Sequence, residues 1–248
     1  MKRLLVIFSI LAASFAHAQI LGPILMGRTA AGSVTLDNSC NSGNPPTSGS
    51  PATTTCTMTI SASATKALVW AMIYGHNYTA TGVTIGSCTA TQATHVVESG
   101  GVNGETLELW ECASPPSGSQ TVTVTWCCGG LQAVTIAAES FIGATGFGTP
   151  VCAGTCGGTE TTNGTALSLS VSSATGHLVA DGAILDTGSN AYTLAASGSQ
   201  ALVGTWNNLW TSGKFDTSGS TLAGSSSVTM AWTASHSVYY LQIAVDVQ

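Results

Sequence analysis

The stretch "GETLELWEC" places Glu105, Glu108 and Glu111 three residues apart. Acids so close in sequence invite a comparison with glycoside hydrolysis, which needs two carboxyls about 5–10 Å apart flanking one bond. On a strand, a three-residue step alternates faces. The run therefore offers no pair of its own, and its charges are expected on a solvated outer face. A catalytic pair would have to form across strands, from Glu98, Glu111 and Glu139. Glu139 and Asp246 recur at matching places in two similar segments, where an acid more commonly satisfies backbone donors than catalyses. Asp181 and Asp186 are oxygen ligands in type, but no Asp-x-Asp-x-Asp-Gly loop holds them, and neither metal nor cofactor is expected. His76, His95, His177 and His236 form no His-x-His or His-Glu-x-x-His pattern, and no Gly-x-Ser-x-Gly elbow supports a hydrolase triad.

Binding chemistry is better represented. In "GTWNNLW", Trp206 and Trp210 offer flat apolar faces beside the amides of Asn207 and Asn208, and Tyr192 is a further aromatic that could join them. Sugar rings stack on aromatic faces while amides read their hydroxyls, so a polysaccharide or cell-surface glycan is the partner this set implies. The competing reading makes Trp210 the head of a strand with its ring in the core.

The chain has eight cysteines: Cys40, Cys56, Cys88, Cys112, Cys127, Cys128, Cys152 and Cys156. An even number in an exported chain reads as disulfides, with 105 possible connectivities. Cys40 is expected to join Cys56, and Cys88 to join Cys112. The neighbours Cys127 and Cys128 point to opposite sides of a strand and are expected to reach Cys152 and Cys156. Zinc is the alternative for the last four.

Export is read from "MKRLLVIFSILAASFAHAQ". Two basic residues, a short apolar run and Ala16-His17-Ala18 form a signal peptide over residues 1–18, and the run is too short to span a membrane as a helix. Beyond it, three basic residues stand against eleven acids. Nucleic acid needs clustered Lys and Arg and is excluded as a partner; an anionic membrane surface is equally unsuited. The expected location is secreted, periplasmic or at the cell surface. The surface must be built from Ser, Thr, Gly, Asn and Ala, which suits glycans or subunit packing.

The elements that must position these residues are strands. Residues 19–52, with "NSGNPPTSGSP", read as loop or leader, and residues 53–248 as one domain. Thr53 to Ile60 alternates, "KALVWAMIYG" is a buried-type strand, and no window sustains helical periodicity. Thr121 to Trp126 is expected to form a hairpin with Ala133 to Ser140 across Gly129-Gly130. Blocks recur in the same order: "CTMTISASATKALVWAMI" with "ALSLSVSSATGHLVADGAIL", and "VTVTW" with "SVTMAW". This implies a duplication over about 53–143 and 163–248. The fold expected is all-β, an antiparallel two-sheet sandwich of jelly-roll type, with Trp126 and Trp232 facing inward. The order of an "LV" strand, "VTVTW" and a strand ending "AAESFIGA" resembles uncharacterised secreted β-sandwich proteins of environmental bacteria and phages. That resemblance covers most of the chain after residue 18 and brings no catalytic residues. Three functions remain open: a non-catalytic module for glycan binding or surface attachment, a structural subunit of a filament, coat or surface layer, and a glycoside hydrolase or lyase of sandwich fold.

Overall fold

The computed structural model describes residues 33–43, 53–74, 79–99, 104–127, 133–187, 192–206, 209–211 and 215–248. The expected signal peptide lies outside them. The first half supplies β1 (Thr35–Asn41), β2 (Thr53–Ile60), β3 (Ala64–Tyr74), β4 (Ala80–Ile85), β5 (Cys88–Thr89), β6 (Thr91–Glu98), β7 (Glu105–Cys112), β8 (Gly118–Trp126) and β9 (Ala133–Ile142). A connector carries β10 (Val151–Cys152) and β11 (Gly158–Glu160). The second half supplies β12 (Asn163–Val171), β13 (Leu178–Asp186), β14 (Leu194–Ala196), β15 (Ala201–Leu202), β16 (Leu209–Thr211), β17 (Phe215–Ala223) and the 20-residue β18 (Val228–Val247). A 3-10 turn spans Gly204–Trp206. No helix of the described residues is long and apolar enough to cross a membrane.

The fold is all-β, as expected, but it has four layers rather than two. An inner sheet of order β1-β9-β3-β7-β6-β11 carries an outer sheet β2-β8-β4-β5 on one face. A second inner sheet, β10-β18-β13-β17-β15, has an outer layer in which β12 and β14 pair with the first part of β18. The two inner sheets pack on each other. Their shared core takes Trp70, Leu107, Leu109 and Phe141 from one sheet, and Ile184, Phe215, Leu241 and Ile243 from the other. Burying each such side chain contributes about 1.5–3 kcal/mol.

Sequence pattern follows layer. An outer strand has one wet face, and β2 alternates exposed and buried residues along its whole length. An inner strand is covered on both faces, so β3 is buried continuously from Ala67 to Tyr74, and β9 from Ala133 to Phe141. Trp126 and Trp232 both point inward and are buried.

Three expectations are corrected. First, β8 and β9 are not a hairpin. β8 pairs with β2 and β4, whereas β9 pairs with β1 and β3. The chain crosses from outer to inner layer between them. In the second half the same crossing is made by one strand: β18 pairs with β12 at Val228–Thr233 and with β13 at Tyr240–Val247. Second, residues 19–52 are not all loop, because β1 adds to the edge of the first inner sheet against β9. Asp37 anchors it, accepting from the Ser140 hydroxyl (2.8 Å) and the Ser61 amide (3.0 Å). Third, one pairing is parallel: β11 beside β6.

The inner strands run β9-β3-β7-β6 in the first sheet and β18-β13-β17-β15 in the second, and the outer strands run β2-β8-β4 and β12-β18-β14. Glu139 and Asp246 do not occupy matching places, however. Glu139 lies opposite Leu68 and Asp246 opposite Val179. Leu68 faces the central core and Val179 the outer one, so the two acids turn to opposite sides.

Candidate functional site

Of the eleven acids, eight are buried: Glu98, Glu105, Glu108, Glu139, Glu160, Asp181, Asp216 and Asp246. Asp37, Glu111 and Asp186 are half-buried, and none is exposed. The expectation that the "GETLELWEC" charges lie on a solvated face is therefore overturned. The alternation of faces does hold: Glu105 and Glu111 share the side of Leu107 and Leu109, which face the central core, while Glu108 turns to the other side with Trp110.

Three of these acids anchor indoles between layers. Glu139 sits between the inner sheets with no exposure, and its Oε1 accepts from the Trp70 indole (3.1 Å) and the Trp206 indole (3.2 Å). Burial above all, offset by the two indoles, pushes its carboxyl up to about 8. Glu108 lies between the first inner and outer sheets, accepting from the Trp110 indole (2.8 Å) and the Ala80 amide (3.1 Å). Burial raises it to about 7. Asp181 does the same in the second half, with the Trp232 indole at 2.7 Å, the Gln242 amide at 2.9 Å and the Ser220 hydroxyl at 2.5 Å. Burial raises it to about 6.

The acids expected to form a catalytic pair do not come together. Glu98 ends β6, and Glu111 is at the far end of the neighbouring β7, where it lines a groove of about 250 Å³ with Lys66, Thr91 and Phe147. Glu139 lies two strands from Glu111 in the same register row, since both flank Leu68. It is sealed under Trp206, and no open groove joins the two.

The glycan set is likewise redistributed. Trp206 is fully buried, its ring packed on Trp70 with centroids 5.7 Å apart. It lies over Gly182 and Gly219, which are register partners on β13 and β17. A methyl on Gly219 would overlap the Trp206 ring, so the glycines make its slot. A ring held there cannot stack on a sugar. Asn207 and Asn208 lie outside the described residues, and Trp210 lies in β16 opposite Asp216. Tyr192 remains at the surface, half-buried and stacked on the exposed His236 at 4.3 Å, while its amide donates to Asp216 (2.7 Å).

Two disulfides are as expected, Cys40–Cys56 and Cys88–Cys112. The third joins Cys152 to Cys156, five residues in one tight connector, and leaves neither available to Cys127 and Cys128. The four cysteines therefore do not form the expected bridges or a zinc site. Cys128 lies outside the described residues.

One acidic cluster was not anticipated. Glu98 ends β6, Glu105 begins β7 and Asp186 ends β13, and their nearest carboxylate oxygens lie within 4.8 Å of one another. All three project into the layer between the inner sheets, sharing faces with Val96, Leu107 and Ile184. Burial first, then the charges of Asp186 and Glu98, pushes Glu105 up to about 9. The residue types were visible in "VVESGGVNGETL", a candidate hairpin that would set Glu98 against Glu105. Nothing in the sequence places Asp186 there, because it arrives from the other half.

No family model matches the chain, and no curated protein matches it. Among solved structures it is similar to the plant receptor-like kinase ANX1, over 87% of this chain and 90% of that one, at 8% sequence identity and a TM-score of 0.26; likeness at that level carries no argument.

Proposed function

We propose that the protein is an exported, non-catalytic module, two tandem copies of one strand unit, that attaches to extracellular glycan through the open face of its first outer sheet. The observation that carries this reading is a ladder of hydroxyls. On β2, Thr53, Thr55, Thr57 and Thr59 are all exposed. Their register partners on β8 are Thr125, Thr123, Thr121 and Ser119. Thr84 of β4 extends the row beside Thr123. The face carries no charge, and it presents hydroxyls and methyls at the regular spacings of a sheet, roughly 4.8 Å across strands and 6.6–6.8 Å along them. A repeating polymer of sugars, itself a ladder of hydroxyls and C–H faces, is the partner such a surface complements. On the other half, the half-buried Tyr192 stacked on the exposed His236 puts an aromatic pair at the surface.

The hydrolase reading gains no support from geometry, because its acids are sealed or apart. A structural role keeps one specific support. β12 pairs with β18 on one side only, and its exposed Thr165, Ala166, Ser168 and Ser170 include neither a charge nor a proline to blunt that edge.

Pull-down on insoluble cellulose, chitin and a bacterial peptidoglycan preparation tests the proposal. The wild type is expected in the pellet with at least one polymer. The double change Thr55→Lys, Thr123→Lys should release it at an unchanged melting temperature. Equal binding by this variant would overturn the assignment to this face. Absence from every pellet, with light scattering showing growing assemblies, would favour the structural subunit.

A further inference from the structure

We propose that Glu98, Glu105 and Asp186 bind a Ca²⁺ ion that ties the two halves of the molecule together at one end of the central layer. The ligand atoms come from both inner sheets, β6 and β7 of the first and β13 of the second, and lie within 4.8 Å of one another. Glu98 and Glu105 are each 1% exposed, while Asp186 is half-buried.

The treatment of buried acids elsewhere makes this cluster distinctive. Glu108, Glu139 and Asp181 accept from indoles, Glu160 from the amides of Thr161 and Thr162, Asp216 from the amide of Tyr192, and Asp246 bonds Ser173 and His177. Neither oxygen of Glu105 receives a hydrogen bond from a donor group, and the neighbour its carboxyl meets is another carboxyl, that of Glu98. A buried carboxyl without donors is costly, and a second and third carboxyl beside it raise the cost further. Lys66, the one Lys or Arg among the described residues, stands at the opposite end of β3 from Tyr74, the register partner of Glu105, and donates to the Ala113 carbonyl. A bound cation satisfies both oxygens and the charge at once.

The donor set selects the ion. Three carboxylates with no nitrogen or sulfur suit a hard cation. Mg²⁺ demands near-ideal octahedral geometry and retains several waters, which a site buried to this depth does not favour. Ca²⁺ takes 6–8 oxygens in irregular geometry, with mono- or bidentate carboxylates. Since the ligands span both inner sheets, binding would stabilise their packing and couple directly to unfolding.

The test uses the full chain with its disulfides intact, stripped with a chelator and melted with and without CaCl₂. Ca²⁺ at a hundredfold excess over its Kd is expected to raise the midpoint by roughly 5–10 °C, and calorimetric titration should show one site. Glu105→Gln should abolish the Ca²⁺ response yet melt no lower than the stripped wild type, because a neutral amide of nearly the same shape replaces a buried carboxyl crowded by two others. Asp186→Asn should weaken the response. A stripped wild type that melts identically with and without Ca²⁺ and takes up none in the titration would overturn the proposal. So would a Glu105→Gln variant that keeps the full response, and an equal response to MgCl₂ would overturn the choice of ion.

Discussion

Glu139 shows how this protein uses acids. Its carboxyl is inaccessible, holds two indole N–H groups and is pushed up to about 8, so near neutral pH it is chiefly the neutral acid. A neutral amide of nearly the same shape should serve as well. Glu139→Gln is expected to change stability by less than about 1 kcal/mol in urea unfolding, since Gln can still accept through its Oε1. Trp206→Ala should cost about 3–5 kcal/mol, the usual loss for truncating a large buried aromatic. If Trp206→Ala unfolds at nearly the wild-type urea concentration, the ring is not where the core needs it. Trp206 also marks the limit of reading a loop by composition. "GTWNNLW" has the residues of a sugar platform, but the glycine pair at Gly182 and Gly219 that receives the ring is 24 residues upstream and 13 downstream, on two other strands. Nothing local to the loop announces that slot.

At the scale of elements, layer position explains most of the pattern. Outer strands alternate, inner strands are covered on both faces whether apolar like β3 or polar like β17, and the two kinds were distinguishable in β2 and β3 from sequence. Which strands pair was less legible. The "CCGG" segment has turn residues, yet it lies between strands of different sheets, because turn chemistry does not specify whether the chain doubles back in plane or passes to the next layer. β1 was hidden for another reason: it is an edge strand of polar composition, and only Cys40 within it is buried. Its bridge to Cys56 joins the first inner sheet to the outer one, as Cys88–Cys112 does from β5 to β7. Replacing Cys40 and Cys56 together with Ser should cost about 3 kcal/mol, the chain-entropy value for a loop of about 15 residues. Urea unfolding of the double variant measures this, and a loss under about 1 kcal/mol would mean that β1 is held by its pairing with β9 alone.

The whole molecule keeps its acids inside and leaves its described surface almost uncharged. That inverts the usual response to pH. Burial is the first cause in raising Glu105 to about 9, Glu139 to about 8, Glu108 to about 7, and Asp181 and Asp216 to about 6. Each folded value lies above the ordinary carboxylate range, so the folded chain holds protons that the unfolded chain releases. The stability these groups permit is complete below about pH 4, where both states are protonated, and drains away as pH rises toward 9. The chelated protein is therefore expected to melt at a higher temperature at pH 5 than at pH 9. A midpoint that is flat or rises over that interval would show that these carboxyls are ionised in the folded state. Adding Ca²⁺ should flatten the upper part of the profile, where Glu105 titrates.

Strand content, the apolar strands of the interior, the inward Trp126 and Trp232, and two of the three bridges follow from local alternation and from cysteines a short loop apart, and these survive in the folded chain. The number of layers, the burial of Trp206, the separation of Glu98, Glu111 and Glu139, and the meeting of Glu98 and Glu105 with Asp186 do not. Each depends on how one inner sheet lies against another, and that packing joins residues from distant segments whose sequences carry no record of one another.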